Sequence, residues 1–182
     1  MERTAGPWAR LQWIDQALTG PLTLPPEQKI LQLLALALAH SGDSYIWGGL
    51  TVAAWFLGAS LWRTWALTTF IGLVLTEIVV IAIKMIIHRR RPPGTAGRIY
   101  RKADPYSFPS GHAARAAMLC LLAGQLAPPV AFIVIAVWSP FMVLSRVAVG
   151  LHYVFDVVAG VMLGCALTAV LLAAMPLFEA WA

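Results

Sequence analysis

Three short stretches of the sequence carry residue types that handle phosphate. The first is KMIIHRRRPP, in which Lys84 is followed seven residues later by Arg91. A lysine supplies a mobile point charge, and an arginine supplies a planar fork that can bind two phosphate oxygens at once. Together they could clamp a phosphoryl group. Taken alone, such a stretch is more often a cluster of positive charge at the end of a membrane span.

The second stretch is PSGH at positions 109–112, directly before an apolar helical run. Ser110 is placed to cap that helix, and Gly111 lets the backbone approach a ligand closely. The N–H groups of the first helical turn would then form an anion site. His112 would stand beside the anion, where it could donate or accept a proton. A capped helix with a surface histidine is the alternative for this stretch by itself.

The third stretch is SRVAVGLHYVFD, which holds Arg146, His152 and Asp156. If a helix begins at or before His152, the four-residue spacing places Asp156 on the same helical face. The carboxylate could then keep one ring nitrogen protonated and leave the other with a lone pair, as a nucleophile requires. Because a carboxylate in an apolar span is costly and usually has a partner, a functional pair is favoured here.

Composition predicts that a helical membrane protein carries these stretches. Of the 182 residues, 60% are hydrophobic and 12% are charged, whereas about a quarter of the residues in a soluble domain are charged. The net charge of +5 does not indicate nucleic-acid binding, because the chain outside its basic segment is too apolar to form a nucleic-acid groove. A lipid head group is the favoured anionic partner. Cys120 and Cys165 lie in separate apolar runs, so we expect neither a disulfide framework nor a thiolate metal site. No cofactor is expected.

Five apolar stretches qualify as membrane spans, at 45–61, 65–87, 113–127, 130–144 and 154–176. A sixth, at 28–41, is too short to cross unaided, and the sequence leaves open whether it spans or lies at the interface. Residues 8–18 have the spacing of an amphipathic interfacial helix, with a solvated helix as the alternative. We therefore expect an all-α integral membrane bundle of five to six transmembrane helices, with an N-terminal interfacial segment at 1–27 and a single domain at 28–182.

Alternating passes through the membrane place all three stretches on one face, together with HSGD at 40–43. Short connectors at 62–64 and 128–129 imply antiparallel neighbouring helices, whereas 88–109 is the one long loop. Unrelated polar residues would not be expected to collect on one face, so the topology favours one shared phosphate site. The count of basic residues points to the cytoplasmic side. Since these charges have a chemical reason to be there, the side stays open.

The three stretches resemble the type 2 phosphatidic acid phosphatase superfamily, whose signature is K-x6-RP, then PSGH, then SR-x5-H-x3-D. The chain matches every position of the signature, within about residues 40 to 176. The resemblance implies that His152 attacks phosphorus to form a phosphohistidine, that Asp156 orients His152, and that His112 protonates the leaving alkoxide and then activates water. It also implies no metal. The residues that would hold the phosphoryl oxygens are Lys84, Arg91, Ser110, Gly111 and Arg146.

The apolar composition is similar to that of the membrane lipid phosphatases of this superfamily. We expect the protein to lie in a bacterial-type cytoplasmic membrane. PSGHAAR and HSGD are similar to the small polyisoprenoid diphosphate phosphatases, including the presqualene diphosphate type. Phosphatidate, phosphatidylglycerophosphate or undecaprenyl diphosphate would suit the same site. Transfer of the phosphoryl group to an acceptor other than water and lipid binding without catalysis are the competing functions. Gly160 and Gly164 favour helix packing inside one bundle, with a dimer as the alternative.

Several polar residues outside the motifs receive no catalytic role from the sequence. Glu77 could form an ion pair near Lys84 or a structural hydrogen bond, and Arg115 could line the mouth of the site. Arg89 is interpreted as a charge for lipid head groups or as a solvated loop charge. The histidines outside the motifs, His40 and His88, are not expected to be catalytic.

Overall fold

The computed structural model describes the backbone of residues 7–93 and 104–179 and the side chains of residues 10–93 and 104–175. Within these ranges the chain forms seven α-helices. The helices are α1 (Pro7–Thr19), α2 (Lys29–His40), α3 (Ser44–Leu57), α4 (Ser60–Ile87), α5 (Gly111–Leu126), α6 (Pro129–Ala148) and α7 (Val154–Glu179). Each predicted helix has an observed counterpart, but the predicted connector at 62–64 is wrong: those residues lie inside α4, and the chain turns at Gly58 and Ala59. The glycine ends α3 there, whereas residues 62–64 continue the helix.

Three of the described helices are long and apolar enough to cross a membrane, namely Ser60–Ile87, Pro129–Ala148 and Val154–Met175. Helices α2 and α3 are apolar but shorter. Large apolar side chains point outward from α4, as at Ile78 and Met85, which are 60% and 61% exposed. Because that much apolar surface is unfavourable in water, it is the surface expected to face lipid. The predicted all-α membrane bundle is confirmed.

Helix α5 occupies the centre of the bundle and packs against α4, α6 and α7. Ten of its sixteen residues are buried, so it does not need a continuous apolar surface toward lipid. Two glycines of α7 allow this packing: a Cβ atom at Gly160 would collide with the carbonyl oxygen of Ser110, and one at Gly164 with that of Ala114. The two glycines therefore serve contacts inside the bundle, and they bring the start of α7 against the PSGH turn.

Helix α1 is inverted relative to a water-soluble amphipathic helix. From residue 10 onward its buried side chains are the polar Asp15 and Thr19, whereas its exposed side chains include Trp13, which is 69% exposed. Three further apolar side chains of α1 are exposed, those of Leu11, Ile14 and Leu18. A helix that turns its apolar side outward and its polar side toward the protein suits apolar surroundings.

The motif-bearing ends of the helices meet at one face of the bundle. Helix α4 ends there at Ile87, and the next residue, His88, terminates it by its left-handed conformation (φ 52°). Hydrogen bonds join four further segments at the same face: the turn between α2 and α3, the start of α5, the end of α6 and the start of α7. The sorting of the three stretches onto one face, predicted from the order of the spans, is therefore observed.

Candidate active site

His152 lies in the turn before α7 and is 1% exposed. Its Nδ1 atom lies 2.8 Å from the carbonyl oxygen of Ser107. A carbonyl can only accept, so Nδ1 carries the proton and Nε2 carries the lone pair. Nε2 lies 3.0 Å from a terminal nitrogen of Arg91. The lone pair of His152 is thus directed at the arginine of the proposed phosphate clamp.

Asp156 is not the hydrogen-bond partner of His152, contrary to the interpretation of the four-residue spacing. Its nearer oxygen is 3.7 Å from Nδ1 of His152, which is beyond hydrogen-bond distance. The carboxylate is held instead by Arg89, at 2.6 Å, and by the backbone N–H of Tyr153, at 2.9 Å. Asp156 therefore acts on the imidazole through its charge, while the carbonyl of Ser107 sets the tautomer.

Burial keeps the imidazole of His152 neutral. Removal from water lowers its pKa to about 3, the charges of Arg91 and Arg146 act in the same direction, and Asp156 opposes them. A histidine with this pKa carries its lone pair throughout the neutral range. This is the protonation state that a nucleophile requires.

Lys84 and Arg91 converge on one carboxylate, that of Asp104. Arg91 contacts the side chain of Asp104 at 2.9 Å and its backbone carbonyl at 2.8 Å, and Lys84 forms an ion pair with the same carboxylate oxygen. The side chain of Asp104 is 37% exposed, whereas those of Lys84 and Arg91 are 10% and 4% exposed. Two buried cations thus share one carboxylate oxygen of the most exposed of the three side chains; their role as a phosphate clamp stays a prediction.

The PSGH turn forms the predicted helix cap. The side chain of Ser110 accepts a hydrogen bond from the N–H of Ala113, at 3.4 Å, and the N–H of Ser110 donates to the carbonyl of Asp156, at 2.9 Å. A Cβ atom at Gly111 would lie 3.3 Å from the side chain of Val80, so the turn is pressed against α4. The cap is therefore tied both to α4, which carries Lys84, and to α7.

His112 is held from two sides by residues to which the sequence assigned no catalytic role. Its Nε2 atom lies 2.7 Å from the carboxylate of Asp43, and its Nδ1 atom lies 3.1 Å from Arg115. Because an arginine can only donate, Nδ1 accepts and Nε2–H donates to Asp43. Arg115 is in turn bound to Glu77, at 2.6 Å. Glu77 thus belongs to the surroundings of His112 rather than pairing with Lys84.

Asp43 also lies 2.9 Å from Nδ1 of His40, so the HSGD turn contributes a carboxylate shared by two histidines. Gly42 allows the approach, since a Cβ atom there would lie 3.1 Å from Cδ2 of His112. The sequence offered one signal for this contact, the position of HSGD on the same face as PSGH. The pairing of Asp43 with His112 joins residues 69 positions apart and has no local pattern.

Arg146 lies at the end of α6 and is 1% exposed. Its charge acts on both His112 and His152, and its backbone carbonyl accepts the N–H of His152, at 3.2 Å. The charge of Arg146 is therefore felt at both histidines; its role in holding a phosphoryl group stays a prediction.

Within the described ranges, no three histidine, cysteine, aspartate or glutamate side chains form a group that could hold a metal ion. Cys120 and Cys165 are free thiols. Arg89, which lies between Lys84 and Arg91, is bound to two carboxylates, so its interpretation as a charge for lipid head groups or as a solvated charge is wrong.

Comparison with known proteins gives a consistent family relationship. A sequence model of the PAP2 superfamily matches residues 65–179. The decaprenylphosphoryl-5-phosphoribose phosphatase of Mycolicibacterium smegmatis is 34% identical over 139 residues, which cover 69% of each chain. The protein of the same name from Mycobacterium tuberculosis is 34% identical over 145 residues, which cover 75% of this chain and 76% of the relative.

Two solved structures have similar folds. The transmembrane PAP2-type phosphatidylglycerolphosphate phosphatase of Bacillus subtilis superposes with a TM-score of 0.71 at 24% identity, over 90% of this chain and 85% of its own. LpxE of Aquifex aeolicus superposes with a TM-score of 0.66 at 15% identity, over 89% of this chain and 94% of its own. At these identities the two structures support the fold.

Proposed function

Because the chain belongs to the PAP2 superfamily, we propose that it is an integral membrane phosphatase that removes a terminal phosphate from a lipid through a phosphohistidine on His152. One observation carries the proposal. The lone pair on Nε2 of His152 lies 3.0 Å from Arg91, and Arg91 and Lys84 together hold an anionic oxygen. A phosphoryl group bound in place of the Asp104 carboxylate would lie within reach of this nitrogen.

In the first step, Nε2 of His152 attacks phosphorus and the bond from phosphorus to the leaving oxygen breaks. The ring then carries a positive charge, because its Nδ1 remains protonated toward the carbonyl of Ser107. The negative charge of Asp156, 3.7 Å away, stabilises that cation. The negative charge on the phosphoryl oxygens is stabilised by Lys84, Arg91 and Arg146 and by the helix cap at Ser110 and Gly111. Electrostatic stabilisation of this kind contributes most of the catalysis in phosphoryl transfer.

His112 supplies a proton to the leaving oxygen. Its Nε2–H is committed to Asp43, so the nitrogen that exchanges the proton is Nδ1, and Asp43 stabilises the protonated ring. In the structure Nδ1 accepts from Arg115, at 3.1 Å. Before the first step this contact must be displaced, and Nδ1 must take up a proton from the phosphate monoanion of the substrate or from solvent, which it then gives to the leaving oxygen. In the second step His112 takes a proton from water, the water oxygen attacks phosphorus, and the bond from phosphorus to His152 breaks, releasing phosphate.

The relatives favour a polyprenyl-linked substrate over phosphatidate or phosphatidylglycerophosphate. The name of the mycobacterial enzymes describes a phosphatase of a 5-phosphoribose carried by a decaprenylphosphoryl group. The head group of such a lipid would reach the polar face where the helix ends meet, while its chain stays among the outward-facing apolar side chains. We therefore propose a polyprenyl lipid with a terminal phosphate as the substrate class.

A panel of purified lipids tests this function. Full-length protein in detergent is incubated with a polyprenyl diphosphate, a polyprenylphosphoryl phosphosugar, phosphatidate and phosphatidylglycerophosphate, and released phosphate is measured. We expect the fastest release from a polyprenyl substrate, and EDTA should leave the rate largely unchanged. No release from any member, or a strict requirement for added metal, would contradict the proposal. Recovery of the phosphoryl group on an added acceptor instead of as free phosphate would indicate a transferase.

Replacing Asp104 with asparagine should tighten binding of anions at the clamp. The carboxylate of Asp104 competes with phosphate for Lys84 and Arg91, and a hydrogen bond to a charged group contributes about 1.5–3 kcal/mol. We expect roughly tenfold stronger inhibition by vanadate or inorganic phosphate, measured as the inhibition constant for release of p-nitrophenol from p-nitrophenyl phosphate. Glu27→Gln, which removes an exposed carboxylate in the α1–α2 connection, controls for the change in net charge. Equal inhibition constants in the two variants would exclude competition by Asp104.

A further inference from the structure

A line of buried charges connects the N-terminal helix to the catalytic histidine. Asp15 of α1 lies 2.6 Å from one terminal nitrogen of Arg89, and the other terminal nitrogen of Arg89 lies 2.6 Å from Asp156. The side chains of both aspartates are 0% exposed and that of Arg89 is 18% exposed. Asp156 in turn lies 3.7 Å from His152. The family signature contains neither Asp15 nor Arg89.

Arg89 suits this bridging position because its planar fork offers two separate nitrogens to two carboxylates. Its guanidinium also lies 4.2 Å from the centre of the Tyr153 ring, and the N–H of Tyr153 donates to Asp156. The position of Asp156 is thus determined by Arg89 and Tyr153 rather than by a hydrogen bond to His152. A small displacement of Arg89 would change the distance from Asp156 to the imidazole.

Asp15 also holds the first turn of α7. Its second carboxylate oxygen accepts the N–H of Phe155, at 2.9 Å, and the hydroxyl of Thr19 accepts the N–H of Val154, at 3.1 Å. These contacts come from a helix whose other side, with Trp13 and its apolar neighbours, faces outward. Helix α1 therefore joins an apolar outer surface to the residues that begin α7.

We propose that Asp15 is a positioning residue for the reaction of His152 and that α1 acts as an interfacial helix holding it in place; this inference rests on the proposed function. Asp15 shares the charge of Arg89 with Asp156. Without the negative charge of Asp15, the whole charge of Arg89 would act on Asp156. Less negative potential would then remain at His152 to stabilise the ring cation formed when Nε2 bonds to phosphorus.

The test compares Asp15→Asn with Thr19→Ala in full-length protein, using p-nitrophenyl phosphate as the substrate. Asparagine keeps an oxygen that can accept the N–H of Phe155 but loses the charge next to Arg89. Alanine at position 19 removes the neighbouring contact between α1 and α7 without changing any charge. We expect Asp15→Asn to lower kcat on the order of tenfold, within the range of couplings seen in ion-pair networks, with KM little changed. Thr19→Ala should lower Tm and leave kcat near that of the wild type.

A second variant covers the case in which Asp15→Asn does not fold. Arg89→Lys keeps the positive charge but replaces the fork with a single nitrogen, and it should also lower kcat. Wild-type kcat in the folded Asp15→Asn or Arg89→Lys protein would overturn the inference, as would equal losses of kcat in Asp15→Asn and Thr19→Ala. If the wild-type protein releases no phosphate, or if activity survives the loss of His152, the proposed function fails instead, so the two failures are distinguishable.

Discussion

Replacing His152 with alanine is expected to abolish phosphate release, with a loss of at least about 10⁴-fold, as for other enzymes that lose their nucleophile. The variant lacks the nitrogen that would bond to phosphorus, so the first step loses its nucleophile. The measurement is phosphate release from detergent-solubilised protein, with Tm recorded to show that the variant is folded. The wild-type protein quenched during turnover should also carry an acid-labile phosphoryl group that the variant lacks.

A matched control is available in the same region. His88 is exposed and adopts a left-handed conformation, which asparagine tolerates better than most residues. His88→Asn therefore removes a nearby imidazole without disturbing the end of α4, and it should turn over at close to the wild-type rate. Near-normal turnover in His152→Ala would remove the phosphohistidine mechanism.

Replacing His112 with asparagine should lower the rate by a factor that depends on the leaving group. An alkoxide leaves poorly without a proton, and general acid catalysis typically contributes about 10²–10⁴-fold. A nitrophenolate leaves readily without one. We therefore expect a loss in this range on a lipid phosphate and a much smaller loss on p-nitrophenyl phosphate, when phosphohistidine formation is measured in a single turnover.

Asp43→Asn should show the same dependence on the leaving group, because the carboxylate of Asp43 stabilises the protonated ring of His112. Its loss should be smaller than that of His112→Asn, since the imidazole itself remains. Equal losses on the two substrates in both variants would mean that His112 and Asp43 do not assist the leaving group. That result would leave the nucleophilic role of His152 intact.

Much of the fold could be predicted from the sequence because membrane spans are encoded locally. Continuous apolar runs bounded by prolines, glycines and charges specify where helices begin and end, as at Pro128 and Pro129 between α5 and α6. The order of the spans then decides which ends share a face. What periodicity did not reveal is the side that α1 turns toward the protein, since the same three-to-four spacing fits either orientation. Burial of Asp15 depends on Arg89, which lies 74 positions away.

The candidate site, like the fold, could be predicted from the sequence only in part. The identities of Lys84, Arg91, His112 and His152 follow from motif spacing, because each motif lies within one helix end and the turn next to it. Their hydrogen-bond partners do not follow. Ser107 provides a backbone carbonyl to His152, and any residue type could provide one, so its identity carries no signal.

The sequence by itself therefore determined that this is an all-α membrane protein of the PAP2 superfamily with its motif residues on one face. Only the tertiary structure decided which groups touch the two histidines: Ser107 rather than Asp156 on His152, and Asp43 and Arg115 on His112. It also decided that Arg89 is shared between Asp15 and Asp156. The physical reason is that apolar patterning acts over a few residues, whereas a buried charge takes the partner that packing brings within about 3 Å, at any distance along the chain.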